Sequence, residues 1–173
     1  MNKILTATEI KNYKDLGEKL DENKINPIIE QAQLTELKDM LGSEFYFDVM
    51  NNLTNPEYAD LLSGSTFIYN DVTYSQDGLK ALTADYFMAK FVIQINTNIT
   101  PFGATIKQSA NSEPADRNSL KDISTMQMQL AGSRWEQIKM YLDSNTTKFP
   151  KWNSCTATSS PSGERIMRFR KIN

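Results

Sequence analysis

Most of the chain reads as stretches with a helical hydrophobic period separated by short polar breaks, and one place switches clearly to a period of two. Thr8 to Gly17 is a short amphipathic stretch that the glycine ends or interrupts. The first firm helix begins near Asp21, a capping residue, because Pro27 is tolerated only close to a helix start. Ile25, Ile28, Ile29, Ala32, Leu37, Met40 and Leu41 then fall largely on one face. Gly42 stops that helix, and Ser43 caps the next, which runs from Glu44 to Asn52 with Phe45, Tyr46 and Phe47 as core. Asn55, Pro56 and Glu57 open a short helix by supplying a cap, a proline at the first helical position and an acid in the first turn.

The change of period comes at Thr66–Tyr69 and Val72–Tyr74. These flank Asn70 and Asp71, two residues that tolerate the positive φ of a tight turn, so a hairpin is predicted over about 66–74. An isolated hairpin is marginal, so it either packs on helices or pairs with another chain's strand. Asp77 caps a long helix from Gly78 to about Asn96, whose Leu79, Leu82, Tyr86, Ala89, Phe91 and Ile93 occupy several faces and so ask for burial on more than one side. Residues 98–115 read as a long irregular link, a length often tied to function. A last long helix, from about Asp116 to Ser144, carries a seam of Leu120, Ile123, Gln127, Leu130, Ala131, Trp135, Ile138, Tyr141 and Leu142. Met126 and Met128 read as core at that spacing, with an adaptable contact surface as the alternative. The expected class is mainly α: a helical bundle with two long antiparallel helices, a small β-hairpin insertion and an extended C-terminal arm. Residues 1–152 form the helical domain, and 153–173 form a Ser/Thr-rich spacer and basic arm.

Charge sharpens that division. Lys151, Arg165, Arg168, Arg170 and Lys171 against Glu164 leave +4 beyond residue 150, and the total is −2, so residues 1–150 carry −6. A tail opposite in sign to its body suits docking on a neighbouring copy, an acidic partner or a polyanion. Nucleic-acid binding by so short a tip would be weak and unspecific. The tip also alternates, with Ile166, Arg168, Arg170 and Ile172 on one side and Met167, Phe169 and Lys171 on the other. That pattern fits an extended strand that adds to a partner's sheet edge, and a solvated tail is the plain alternative.

Chemistry is scarce. Histidine is absent, which removes the commonest general base, the usual nucleophile pairs and the commonest zinc ligand. No glycine loop for phosphate is present, and the acidic pairs, such as Glu36 with Asp39, suit capping and solubility. Arg134 and Glu136 straddle Trp135 and point apart on the helix. The single cysteine, Cys155, excludes an intrachain disulfide and reads as an incidental thiol. No catalytic, cofactor-binding or metal-ligating set is expected, and the chain is not expected to be an enzyme. Neither a signal peptide nor a membrane span is expected, which suggests folding in a cytoplasm. Thr100–Gly103 is a rigid turn whose Phe102 either plugs its own core or grips a neighbour.

Several segments in order carry a resemblance: Lys24–Gln33, Leu41–Tyr46, Gly78–Leu82 leading to Tyr86 and Phe91, then Thr100–Gly103, Lys107 and Ser112–Pro114. Over roughly residues 20–150 the chain resembles head–tail connector or adaptor proteins of tailed bacteriophages, especially crAss-like and other phages of Bacteroidetes. The resemblance implies a virion neck component, assembled in the host cytoplasm as a ring under the portal, usually with its twelve-fold symmetry. Its partners would be the portal protein, further copies of itself, a downstream tail or neck protein, and genomic DNA passing without sequence-specific binding. The partner-facing residues would be Pro101, Phe102, Gly103 and Lys107 in the link, and Arg165, Arg168, Phe169, Arg170 and Lys171 in the arm. A collar or tail-completion protein, or an adaptor that seizes a host protein, are the rival readings.

Overall fold

The computed structural model describes residues 2–17, 21–95, 97–100, 103–106 and 116–152. The N-terminal strip lies on the helices through Ile4, Leu5, Ala7 and Ile10, all buried. A 3-10 turn over Glu9–Asn12 is held by a reciprocal pair: the Thr6 N–H donates to the Glu9 carboxylate at 3.0 Å, and the Glu9 N–H donates to Thr6 Oγ1 at 3.2 Å. Helix α1 (Glu22–Ala32) is capped as expected, with Asp21 accepting from the Asn23 N–H at 3.0 Å.

Beyond α1 the helix does not stay regular. A π-helical turn over Gln33–Leu37 separates it from α2 (Lys38–Leu41). One extra residue in that turn brings Leu37 and Leu41 back over the face of Ile25 and Ile29, and it carries the amide of Gln33 inward. There Gln33 Oε1 accepts from the Ile4 N–H at 2.8 Å, tying the N-terminal strip to the bundle. The same shift leaves Met40 at 36% exposure, so the predicted face loses that member.

Gly42 breaks the chain at φ 73°. Ser43 is then the first residue of α3 (Ser43–Asn51), not its cap. Phe45 and Tyr46 are fully buried, but Phe47 points outward with the Lys38 ammonium 5.3 Å above its ring, which corrects the reading of the whole trio as core. Asn55 caps a 3-10 turn over Pro56–Tyr58 by accepting from the Glu57 N–H at 3.1 Å, and this leads into α4 (Ala59–Ser63).

Strands β1 (Ser65–Tyr69) and β2 (Val72–Gln76) pair antiparallel, Tyr69 opposite Val72, around Asn70 and Asp71 at φ 49° and 61°. The predicted hairpin is therefore present with its primed turn. It packs on its own helices, with the Phe67 ring 5.5 Å from Tyr141. Its base is tight. A Cβ on Gly78 would sit 2.5 Å from the Leu62 carbonyl oxygen, so only glycine fits there at φ +86°. Gln76, buried, donates to the Asp60 carbonyl oxygen at 2.6 Å and accepts from the Gly78 N–H at 2.7 Å. Gln76, not Asp77, thus serves the start of α5 (Gly78–Gln94), since Asp77 makes no cap bond.

Helix α5 is the core of the fold, buried on most sides from Leu79 to Val92. Helix α6 (Arg117–Ser144), capped by Asp116, lies along it. Asp77 meets Arg134 near the start of α5, whereas Tyr86 borders a recess shared with Met128, so the two long helices run antiparallel. The link before α6 contains ordered pairing that the sequence did not announce. Strands β3 (Thr97–Thr100) and β4 (Gly103–Ile106) form a second antiparallel hairpin, in place of an irregular loop over those positions. The class is mainly α with a small antiparallel hairpin over β1 and β2, as the periodicity predicted, and the β3–β4 hairpin is an addition to it. The seam of α6 is the larger correction: Ala131, Ile138, Tyr141 and Leu142 are buried, but Ile123 and Leu130 are each 40% exposed.

Candidate interaction surfaces

Of the residues expected to face partners, Gly103 opens β4 opposite Thr100. Pro101, Phe102, Lys107 and the arm residues Arg165, Arg168, Phe169, Arg170 and Lys171 lie outside the described residues, as does Cys155. Chemistry among the described residues is elsewhere.

A charge cluster that sequence reading missed sits where α5, α6 and the N-terminal strip converge. Asp85 is fully buried and takes Lys14 on one carboxylate oxygen and Arg134 Nη1, at 2.5 Å, on the other. Arg134 also reaches Asp77 through Nε at 2.8 Å, and Lys14 donates to Gln127 Oε1 at 2.5 Å. Burial works against the Arg134 cation, but its bonds to Asp77 and Asp85 prevail and raise its pKa. Each carboxylate oxygen has a cationic donor, so the buried carboxylate acts as a pin between three segments. Its signal was legible: Asp85 is the only charge in an otherwise apolar run from Ala81 to Ala89. Its carboxylate is fully enclosed and both its oxygens are taken by cations, while the Arg134 and Asp77 side of the cluster borders a recess beside β2, so we read it as a structural cluster. No group of carboxylates and cysteine arranged to hold a metal occurs among the described residues.

Burial governs the other titrating groups. It pushes the Tyr86 phenol up to about 12, with the charges of Glu36 and Asp85 adding to the effect. The Tyr86 hydroxyl has no hydrogen-bond partner among the described residues. Burial likewise raises Tyr46, Tyr58 and Tyr141. At the surface, a hydrogen bond from Lys80 holds the Glu9 carboxyl below its usual range.

Two surfaces have the character of contacts. The first is the N-terminal half of α6: from Asp116 to Leu130 no residue is buried, and Ile123, Met126, Met128 and Leu130 stand exposed. Met126, at 65% exposure, is surface and not core, which corrects the expected placing of both methionines. Across from it, a recess of about 380 Å³ between the π-helical turn and α5 is bordered by Glu36, Met40, Tyr86 and Met128. The second is a recess of about 540 Å³ beside the β2 edge, floored by Leu130, Ser133, Arg134 and Gln137 of α6. Among the described residues, no helix is long and apolar enough to cross a membrane.

The fold defines a mainly α protein with hairpin appendages and large apolar side chains exposed along α6. The chain belongs to the family of unknown function DUF6712, whose model matches residues 37–162. No curated protein and no solved structure matches it.

Proposed function

We propose that the protein is a structural component of a phage neck, forming a ring under the portal that joins head to tail and continues the DNA channel. The observation that carries this reading is the bare first half of α6. Four large apolar side chains, 40–65% exposed along a stretch of helix in which no residue is buried, are tolerated in a folded monomer but favour association. Flexible methionine lets such a surface adapt to more than one neighbour, as a ring contacting both its own copies and a second ring requires. The −6 charge of residues 1–150 supports a channel role, because an acidic lining repels phosphates and lets DNA slide. A heterologous ring closes only when the rotation per subunit fits, and an assembled portal would template that rotation.

The test is native mass spectrometry of the protein with and without its cognate portal. The expected outcome is a monomer or weak oligomer alone and a complex of many copies on the portal. A protein that stays monomeric beside the portal would overturn the reading.

A further inference from the structure

We infer that the groove between the β2 edge and α6 receives the C-terminal segment 164–172 of a neighbouring copy as an added β-strand. This rests on the ring reading for the presence of a neighbour. The geometry begins at the turn. With Tyr69 and Val72 bonded across a two-residue turn, the bonded pairs recur at Phe67 with Tyr74 and at Ser65 with Gln76. Thr73 and Ser75 therefore aim their N–H and C=O groups away from β1, and no described residue takes them. Four outward backbone groups form a ladder of the kind that an extended peptide completes.

Both residues border the 540 Å³ recess, and α6 forms its floor with Leu130, Ser133, Arg134 and Gln137. A strand laid there meets an edge on one side and a helix below, so it is recognised by backbone and by every second side chain. The segment has the matching pattern. Met167 and Phe169 share one side and suit the half-exposed Leu130 and the Tyr74 ring, while Arg168 and Arg170 share the other. Arg165, Arg168, Arg170 and Lys171 against Glu164 give it +3, attracted by a body of −6. Between Trp152 and Glu164 stand eleven residues, enough to span ~36–40 Å when extended.

The experiment uses the full-length protein, dilute and 15N-labelled, titrated with a synthetic peptide of residues 161–173. Amide exchange at Thr73 and Ser75 is read by NMR. Saturating peptide is expected to slow both amides by roughly tenfold or more, leaving the already bonded Val72 and Tyr74 unchanged. A peptide with Phe169→Ala should protect less. Ser75→Pro in the protein, which removes only an outward N–H, should abolish protection at Thr73. Unchanged exchange at millimolar peptide would overturn the proposal. So would full protection in the dilute protein before any peptide is added, because the arm would then occupy its own groove. Assembly on the portal with no peptide effect on these amides would keep the ring and remove the groove.

Discussion

The two halves of α6 share one helix and differ in almost everything else. From Ala131 onward it is welded to the core: Ala131, Ile138, Tyr141 and Leu142 are buried, and Phe149 beyond it packs its ring 5.9 Å from Phe45 and 5.4 Å from Tyr58. From Arg117 to Leu130 it offers the chain's own core nothing that is fully buried. The boundary falls at the charge pin, where Arg134 and Gln127 meet the group of Asp85 and Lys14. A regular helix thus carries a stable foundation at one end and presents an open face at the other. Continuity of backbone hydrogen bonds lets the anchored half hold the open half rigid. Rigidity matters for a contact surface, since an ordered face gives up less entropy on binding.

The largest expected effect comes from removing the pin. Asp85→Ala leaves two cations without their buried carboxylate and should cost about 3–5 kcal/mol of stability, read as a lower urea midpoint. Asp85→Asn, with the shape kept and the charge gone, should fall between that variant and the parent. Truncation in the foundation comes next: Leu142→Ala, at a fully buried site, should cost about 3 kcal/mol.

Alkaline pH probes the same core differently. Free tyrosine ionises near pH 10, whereas Tyr86 holds its proton to about 12 in the folded protein. Between those values the unfolded chain has lost a proton that the folded chain retains. Stability is therefore intact below pH 10 and falls as pH rises, by roughly 1.4 kcal/mol per unit for this one group. Tyr86→Phe should flatten that decline. At pH 7 it should be neutral or mildly stabilising, because the lost hydroxyl has no partner among the described residues.

The smallest effect on folding belongs to the open half. Met126→Gln should change stability by less than about 0.5 kcal/mol. It should nonetheless weaken assembly on the portal in the mass experiment. Equal losses from Met126→Gln and Leu142→Ala in a urea melt would break the contrast between the two halves.

Period and punctuation made much of this fold legible. Asp21 and Asn55 cap where the sequence placed caps, the last helix starts beside Asp116 as its pattern indicated, and Asn70 with Asp71 set the turn of the first hairpin. The failures have physical causes. The π-helical turn after Ala32 adds a residue to one turn, so a strict 3.6 period misplaces Met40. Ile123 and Met126 have core-like spacing but stand 40% and 65% exposed, and spacing alone does not tell which positions of a helix a neighbour covers. Asp77 has the chemistry of a cap but is drawn to Arg134, a residue 57 positions away. The charge pin was half legible, since Asp85 interrupts an apolar run, but its cations come from distant segments that only helix crossing brings together.

One detail of the foundation shapes how the protein will look to light. Its two tryptophans, Trp135 and Trp152, have ring centres 5.9 Å apart, and the Trp152 indole N–H donates to Asp143 at 2.8 Å. Both emitters therefore sit at a single corner, close enough to couple as an exciton pair in circular dichroism. A fluorescence melt will report when that corner comes apart and stay blind to events along the first half of α6. A tryptophan introduced at Met126 would give the open face a signal of its own.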